Sequence, residues 1–401
     1  MNIQVLELKD SKEIIGEMQK LGVDPAGVRI MAPKFQAYAL KIGPLSACAA
    51  NILKQEALAR GGEAALPWAA LKQKTRTAEV LLFGNKQQLY SLSRKLKAQP
   101  FQLVQVSEAL EKLLQKLEKP VTRLKIGPKT FDLNKKTLLL GVLNITPDSF
   151  SDGGRYLAPQ KALAQARQLL KAGADIIDIG AESSRPGATQ ISAKAELARL
   201  LPVLKELRRM PGALISLDTT KSVVARECLK LGIHLLNDIS GLNADPKLAE
   251  LAAHYKVPLI LMHRSAPSRT MQNRTKYTDL IQEILNYLQG SVARALAAGV
   301  ARDKIIIDPG IGFGKTTEQN LEIFKRLPEF KSLGLPIMIG ASRKSLIGNV
   351  LNAPVADRLE GTLALSAWAI AGGASLLRVH DVKENLRVVK LCDAIRRTTR
   401  T

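Results

Sequence analysis

Arg378 and His380 stand two residues apart on a short apolar run near the end of the chain. On a strand that spacing sends both side chains to the same side. A guanidinium beside an imidazole suits an anionic group. Polar residues gather in the same way behind other apolar runs. Asn144 and Asp148 follow the first, Asp178, Glu182, Ser184 and Arg185 the second, and Asp218 and Lys221 the third. Asn237 closes the fourth run, Met262-His263 the fifth, Asp308 the sixth and Ser342-Arg343-Lys344 the seventh. A strand-end Asp can also cap the helix that follows it. Pro309 and the glycines behind Asp308 argue against a cap there, whereas Asp218 leads directly into a helix and both roles stay open. For His380 the alternative is a core histidine satisfied by backbone.

Other chemistries are absent. No Ser-His-Asp or paired-carboxylate arrangement is present. No two of His234, His254, His263 and His380 fit a metal-binding helix motif. Cys48, Cys228 and Cys392 lie far apart, which excludes a disulfide scaffold or a cysteine-rich zinc site and fits a reducing compartment. GIGFGK (310–315) lacks Walker spacing. Its glycines let backbone approach a ligand, and Lys315 reads as a solvated turn lysine.

The elements that must position these residues repeat. From residue 138 onward a β-rich run of about six residues alternates with a helix-period segment, eight times over. The strands are expected at 138–145, 175–180, 214–218, 235–239, 258–262, 304–308, 336–340 and 375–380. The helices are expected at 159–171, 192–209, 221–231, 245–254, 277–298, 317–327, 355–371 and 383–396, with Pro202 kinking or restarting the second. Strands apolar throughout are covered on both faces. Eight such units match a (β/α)8 TIM barrel, whose active sites form at the C-terminal ends of the strands. An open doubly wound sheet would want a GxGxxG after its first strand, and none is there.

Residues 1–118 read as a small α/β domain without a catalytic constellation. It should hold a strand at Ile3–Leu6, a helix capped by Asp10 or Ser11 and ended by Gly22, helices at about 44–60, 86–97 and 107–119, and a strand at 79–83. Residues 119–137 form a linker and a hairpin turning at Gly127-Pro128, expected to cover the barrel bottom, and 138–401 form the barrel. Apolar residues make up 46% of the 401, enough for a sizeable core. Aromatics are only 4%, too few for a base-stacking surface. The net charge of +23 is spread along the chain and raises the local concentration of anionic ligands. The first ten residues read as no export signal and no apolar stretch spans a bilayer. These features predict a cytoplasmic protein with no membrane and no nucleic-acid partner.

Five motifs carry a resemblance: GVLNITPDSFSDGG (141–154), DIGAESSRPG (178–187), DPGIGFGK (308–315), SRKS (342–345) and RVHD (378–381). Together, in order and each after its own strand, they resemble dihydropteroate synthase over about residues 121–396. That family is a sulfonamide target of folate biosynthesis. It joins 6-hydroxymethyl-7,8-dihydropterin diphosphate to p-aminobenzoate and releases pyrophosphate.

The resemblance implies roles residue by residue. Asp218, Asn237 and Asp308 would read the donor-rich edge of the pterin, and Lys344 its acceptor-rich side. Met262 and Phe313 would wall the flat ring. Arg378, His380 and Ser184 would hold the diphosphate, with Asn144 on a Mg²⁺ bridging the phosphates. One Asn suits Mg²⁺ held mostly by substrate oxygens and water. Ser184, Arg185 and Pro186, with Asp148 in the opposing loop, would form the p-aminobenzoate pocket. Asn144, Lys344, Arg378 and His380 are thus the catalytic set, and a homodimer through the last helices is implied. Ser184 stands where the family more often has Thr, Thr220 replaces a more usual aromatic, and His263-Arg264-Ser265 departs from the common pattern. The alternative is a methyltetrahydrofolate:corrinoid methyltransferase-like pterin-binding protein, which would share the Asp and Asn contacts but has no use for Arg378, His380, Lys344 or the SSRPG loop.

Overall fold

The structure is a computed structural model that describes residues 2–8, 11–72, 74–145, 157–183, 190–266 and 275–398. The chain divides into two compact units, one up to Lys119 and one of Pro120–Arg397.

The first unit runs α1 (Ser11–Lys20), α2 (Pro25–Phe35), β1 (Ala37–Ser46), α3 (Ala47–Leu58), β2 (Glu63–Ala65), α4 (Trp68–Leu71), β3 (Thr77–Asn85), α5 (Lys86–Leu96) and α6 (Leu103–Glu118). Its antiparallel sheet has the order β1-β3-β2. Along β3, Ala78, Val80 and Leu82 turn inward at period two, and they share a core with Leu53, Leu89, Leu92 and Leu103 of the helices. Two expectations fail here. Ile3–Leu6 is not a strand: Ile3 and Val5 are exposed, because an alternating pattern without a neighbouring strand has nothing to pair with. The helix expected from Pro44 starts at Ala47, since Pro44 lies in β1 at a register irregularity and Ser46 caps α3 by accepting from Ala49 N at 3.2 Å. Helix α2 was not expected at all; Asp24 caps it, accepting from Ala26 N and Gly27 N.

The second unit opens with the hairpin β4 (Arg123–Ile126) and β5 (Lys129–Asp132) around Gly127, whose φ of +55° suits glycine. Then come β6 (Leu138–Asn144), α7 (Leu157–Ala172), β7 (Ile176–Gly180), α8 (Ala193–Leu207), β8 (Ile215–Asp218), α9 (Ser222–Leu229), β9 (Leu235–Asp238), α10 (Lys247–Tyr255), β10 (Leu259–Met262) and α11 (Leu280–Ala297). The unit finishes with β11 (Ile305–Asp308), α12 (Thr317–Lys325), β12 (Met338–Ile339), α13 (Ser345–Leu351), α14 (Leu359–Gly372), β13 (Leu376–Val379) and α15 (Val382–Arg397). All eight strands pair in parallel in the order β11-β10-β9-β8-β7-β6-β13-β12. A parallel bridge between Ile307 and Ile337 closes the ring. The fold is a (β/α)8 barrel.

Three details depart from the sequence reading. Helix α8 runs unbroken through Pro202, with Leu200, Val203 and Leu204 all buried around it. The expected helix at 355–371 begins as a 3-10 turn, Val355–Asp357, and becomes α-helical only from Leu359. A short helix, α13, stands where only a loop was expected.

Period two along the strands sorts the barrel into layers. Leu140, Ile176, Leu235, Ile260, Ile306 and Leu376 form an apolar floor that shares one buried cluster with Leu124 and Ile126 of the hairpin. The intervening residues, such as Leu139, Ile177 and Leu377, face the helices. Two residues beyond the floor, the inward positions become Asp178, Asn237, Asp308 and Arg378.

Candidate active site

Three of those four residues, with Asp218, form one connected cluster. Arg378 Nε donates to Asp178 Oδ2 at 2.6 Å, and one of its terminal nitrogens donates to Asp218 Oδ2 at 2.8 Å. Asn237 Nδ2 donates to the same Asp178 oxygen at 3.2 Å. This bond fixes the Asn237 amide with its carbonyl oxygen turned the other way. That oxygen is buried and has no protein partner, and the same holds for Asp178 Oδ1. Burying an acceptor unpaired is costly, so its persistence points to a donor arriving from outside the chain. Asp308, 3% exposed, uses Oδ1 to accept from Gly310 N at 2.7 Å.

Burial raises the Asp218 carboxyl to about 7, although Arg378 opposes the shift. Burial also raises Asp308. Lys344 is lowered to about 8, again by burial. Its ammonium sits 4.4 Å above the centre of the Phe313 ring and donates to the Ile311 carbonyl. Met262, Phe313 and Ala266 are buried in one small apolar cluster, with Ile239 against it. A flat apolar wall therefore adjoins a row of acceptors and an ammonium.

His380 is held by Ser342, whose hydroxyl lies 3.0 Å from Nδ1. Burial, then the positive charges of Arg378 and Arg343, lower it to about 4. The ring is thus neutral at pH 7 before an anion binds. Arg378 is likewise engaged, bonded to the carboxyl groups of Asp178 and Asp218. A diphosphate at the barrel mouth would raise His380 toward protonation, because an adjacent anion favours the charged form.

Asn144 ends β6, half-buried, and its strand neighbour in register is Gly180. Among the described residues no cluster of three His, Cys, Asp or Glu side chains could hold a metal ion. The chemistry of this donor set fits a hard cation that takes most of its ligands from substrate and water. Asp148, Ser184, Arg185 and Pro186 lie outside the described residues.

Two residues escaped the sequence reading. Asp178 was seen as part of a motif but given no task; a carboxylate inside an otherwise apolar strand was the available signal. Lys315 is not a solvated turn lysine. It is 4% exposed, and its ammonium meets His263 Nδ1 at 2.9 Å, the Gly310 carbonyl at 2.8 Å and the Phe313 carbonyl at 3.1 Å. Thr220 and the His263-Arg264-Ser265 departure touch none of the Arg378 cluster's bonds, but His263 proves to be structural through Lys315.

The sequence profile of the pterin binding enzyme family matches residues 140–380. Over 273 residues the chain is 46% identical to the dihydropteroate synthase of Synechocystis, spanning 68% of this chain and 94% of that protein. The dihydropteroate synthase of Bacillus subtilis is 45% identical over 268 residues, spanning 67% and 92%. The chain belongs to the dihydropteroate synthase family. Solved structures agree. The enzyme from Clostridium difficile, determined in the presence of pteroic acid, superposes with a TM-score of 0.64 at 43% identity, over 67% of this chain and all of that one. The Yersinia pestis enzyme in complex with a sulfonamide drug gives 0.65 at 40% identity, over 69% and 100%. The match to the family profile lies entirely within the barrel unit.

Proposed function

We infer that this chain is a transferase of folate biosynthesis. It condenses 6-hydroxymethyl-7,8-dihydropterin diphosphate with p-aminobenzoate to give 7,8-dihydropteroate and pyrophosphate. The observation that carries this is the acceptor row of Asp218, Asn237 and Asp308 beside Lys344 and the Met262–Phe313 wall, with Arg378 at its centre. A pterin offers a 2-amino group and ring N–H donors along one edge, which match those acceptors, and acceptors on the opposite side for Lys344.

The C–O bond to the diphosphate breaks first and leaves a methylene cation stabilised by the pterin. The neutral aryl amine of p-aminobenzoate then attacks that carbon, and the resulting ammonium loses its proton to water. No strong base is needed. Charge grows on the leaving diphosphate, where Arg378 and His380 stabilise it in the transition state. Mg²⁺, when bound, supplies further charge neutralisation there; Asn144 would hold it. Ser184 joins the diphosphate contacts, and Arg185, Pro186 and Asp148 form the p-aminobenzoate pocket.

Two finer readings accompany this. The chain is a homodimer through its last helices: Trp368 on α14 and Leu391 and Ile395 on α15 are each more than 60% exposed, apolar surface that suits a second copy. It works in the cytoplasm; no helix among the described residues is long and apolar enough to cross a membrane. Arg378→Ala tests the assignment. It should weaken the pterin diphosphate far more than p-aminobenzoate, and equal losses for the two substrates would overturn it.

A further inference from the structure

The segment Pro309–Lys315 links β11 to α12 without regular secondary structure, and all of it except Gly312 is buried. Buried backbone groups outside helices and sheets must find other partners. Here side chains supply them one by one. Asp308 takes the Gly310 N–H, and Asn320 Oδ1 takes the Gly312 N–H at 2.7 Å. Lys344 takes the Ile311 carbonyl, and the Tyr277 hydroxyl takes the Gly314 carbonyl at 3.0 Å. Lys315 alone takes two, the carbonyls of Gly310 and Phe313.

The third donor of that ammonium points at His263 Nδ1. An ammonium has three donors and no acceptor, so three acceptors saturate it. Nδ1 accepts only while the imidazole is neutral with its proton on Nε2, and burial keeps His263 neutral. Burial also lowers Lys315, to about 7, with Asp308 opposing and Lys344 reinforcing the shift. The three-acceptor geometry nevertheless selects the protonated form. His263 is itself fixed, its backbone N–H donating to the Asp308 carbonyl at 2.9 Å and its ring edge-on to Tyr287. Lys315 thus joins the end of β10 to both ends of the Gly310–Phe313 turn.

We propose that Lys315 is a positioning residue for the pterin pocket, its ammonium holding the turn that presents Asp308 and Phe313 to the ring. This rests on the pterin lying against those two residues. Lys315 touches no substrate; it acts through the loop. Losing it unpairs the buried Phe313 carbonyl and an imidazole nitrogen, and leaves the Gly310 carbonyl with only the Phe313 N–H at 3.2 Å, so the turn must rearrange to satisfy them.

The test uses the full chain and two variants. Lys315→Met keeps the stem and removes the ammonium. Tyr277→Phe removes the hydroxyl that bonds the neighbouring Gly314 carbonyl and the Ser265 side chain. KM is measured separately for the pterin diphosphate and for p-aminobenzoate, with thermal melting alongside. Lys315→Met should raise KM for the pterin diphosphate at least tenfold and leave KM for p-aminobenzoate within twofold; Tyr277→Phe should show the same selectivity at two- to fivefold. A merely structural role would lower melting temperature and active fraction without splitting the two KM values, and that result overturns the proposal. If Lys315→Met does not fold, Tyr277→Phe decides: an unchanged or unselective KM overturns it. Failure of the unmodified protein to turn over the two substrates would instead refute the functional reading, so the two failures are distinct.

Discussion

Arg378 bonded to both Asp178 and Asp218 makes the site sensitive to pH. Asp218 titrates at about 7, so its carboxylate form exists above that pH and is lost as pH falls through it. If the carboxylate accepts from the pterin ring as proposed, kcat/KM for the pterin diphosphate should decline on the acid side of 7. Asp178 contributes a like charge that raises Asp218. Asp178→Asn should therefore move this acid limb to lower pH, and an unmoved limb would show that the two carboxylates are not coupled. Asp308→Asn would set a donor where the ring also presents donors. It should weaken pterin binding by about 2–3 kcal/mol, the cost of an unmatched buried hydrogen bond; normal pterin affinity in a folded variant would refute the assignment. Asp218, Asn237 and Asp308 were legible in the sequence because each ends an apolar run. Asp178 was legible behind the second run but its task was not, because only the structure brings Arg378, 200 residues away, onto it. Lys315 was misread because a lysine in a glycine turn is usually solvated.

At the level of elements, the eight βα units could be read from the chain because a parallel strand covered on both faces writes an uninterrupted apolar run. The first unit was harder. Its strand pattern at Ile3–Leu6 found no partner, and Pro44 proved compatible with an edge strand. The loop after β11 is tightly constrained. Gly310 has φ +71°, and a Cβ there would stand 1.9 Å from the His263 carbonyl oxygen. That oxygen is backbone and cannot yield cheaply. Gly310→Ala should lower the melting temperature and weaken the pterin more than p-aminobenzoate, measured by thermal unfolding and paired titrations. A variant with unchanged melting and pterin affinity would mean that the loop is softer than its bonds indicate.

Across the whole molecule, every described residue given a substrate role lies between Asn144 and His380, inside the barrel unit. That unit has its own core, and the solved chains it resembles match it over their full length. A protein starting near Lys119 should fold and turn over within about tenfold of the full chain at saturating substrates; a thousandfold fall in a folded barrel would mean that the first unit completes the site. The net charge of +23 should speed capture of the anionic substrate at low salt, a gain that fades once screening acts over about 8–10 Å. The most direct measurement of the central claim is the initial rate of pyrophosphate release by the full-length protein given the pterin diphosphate and Mg²⁺, with and without p-aminobenzoate. Release should depend on the amine and match dihydropteroate one for one. Folded protein that forms no dihydropteroate from saturating substrates would contradict the account.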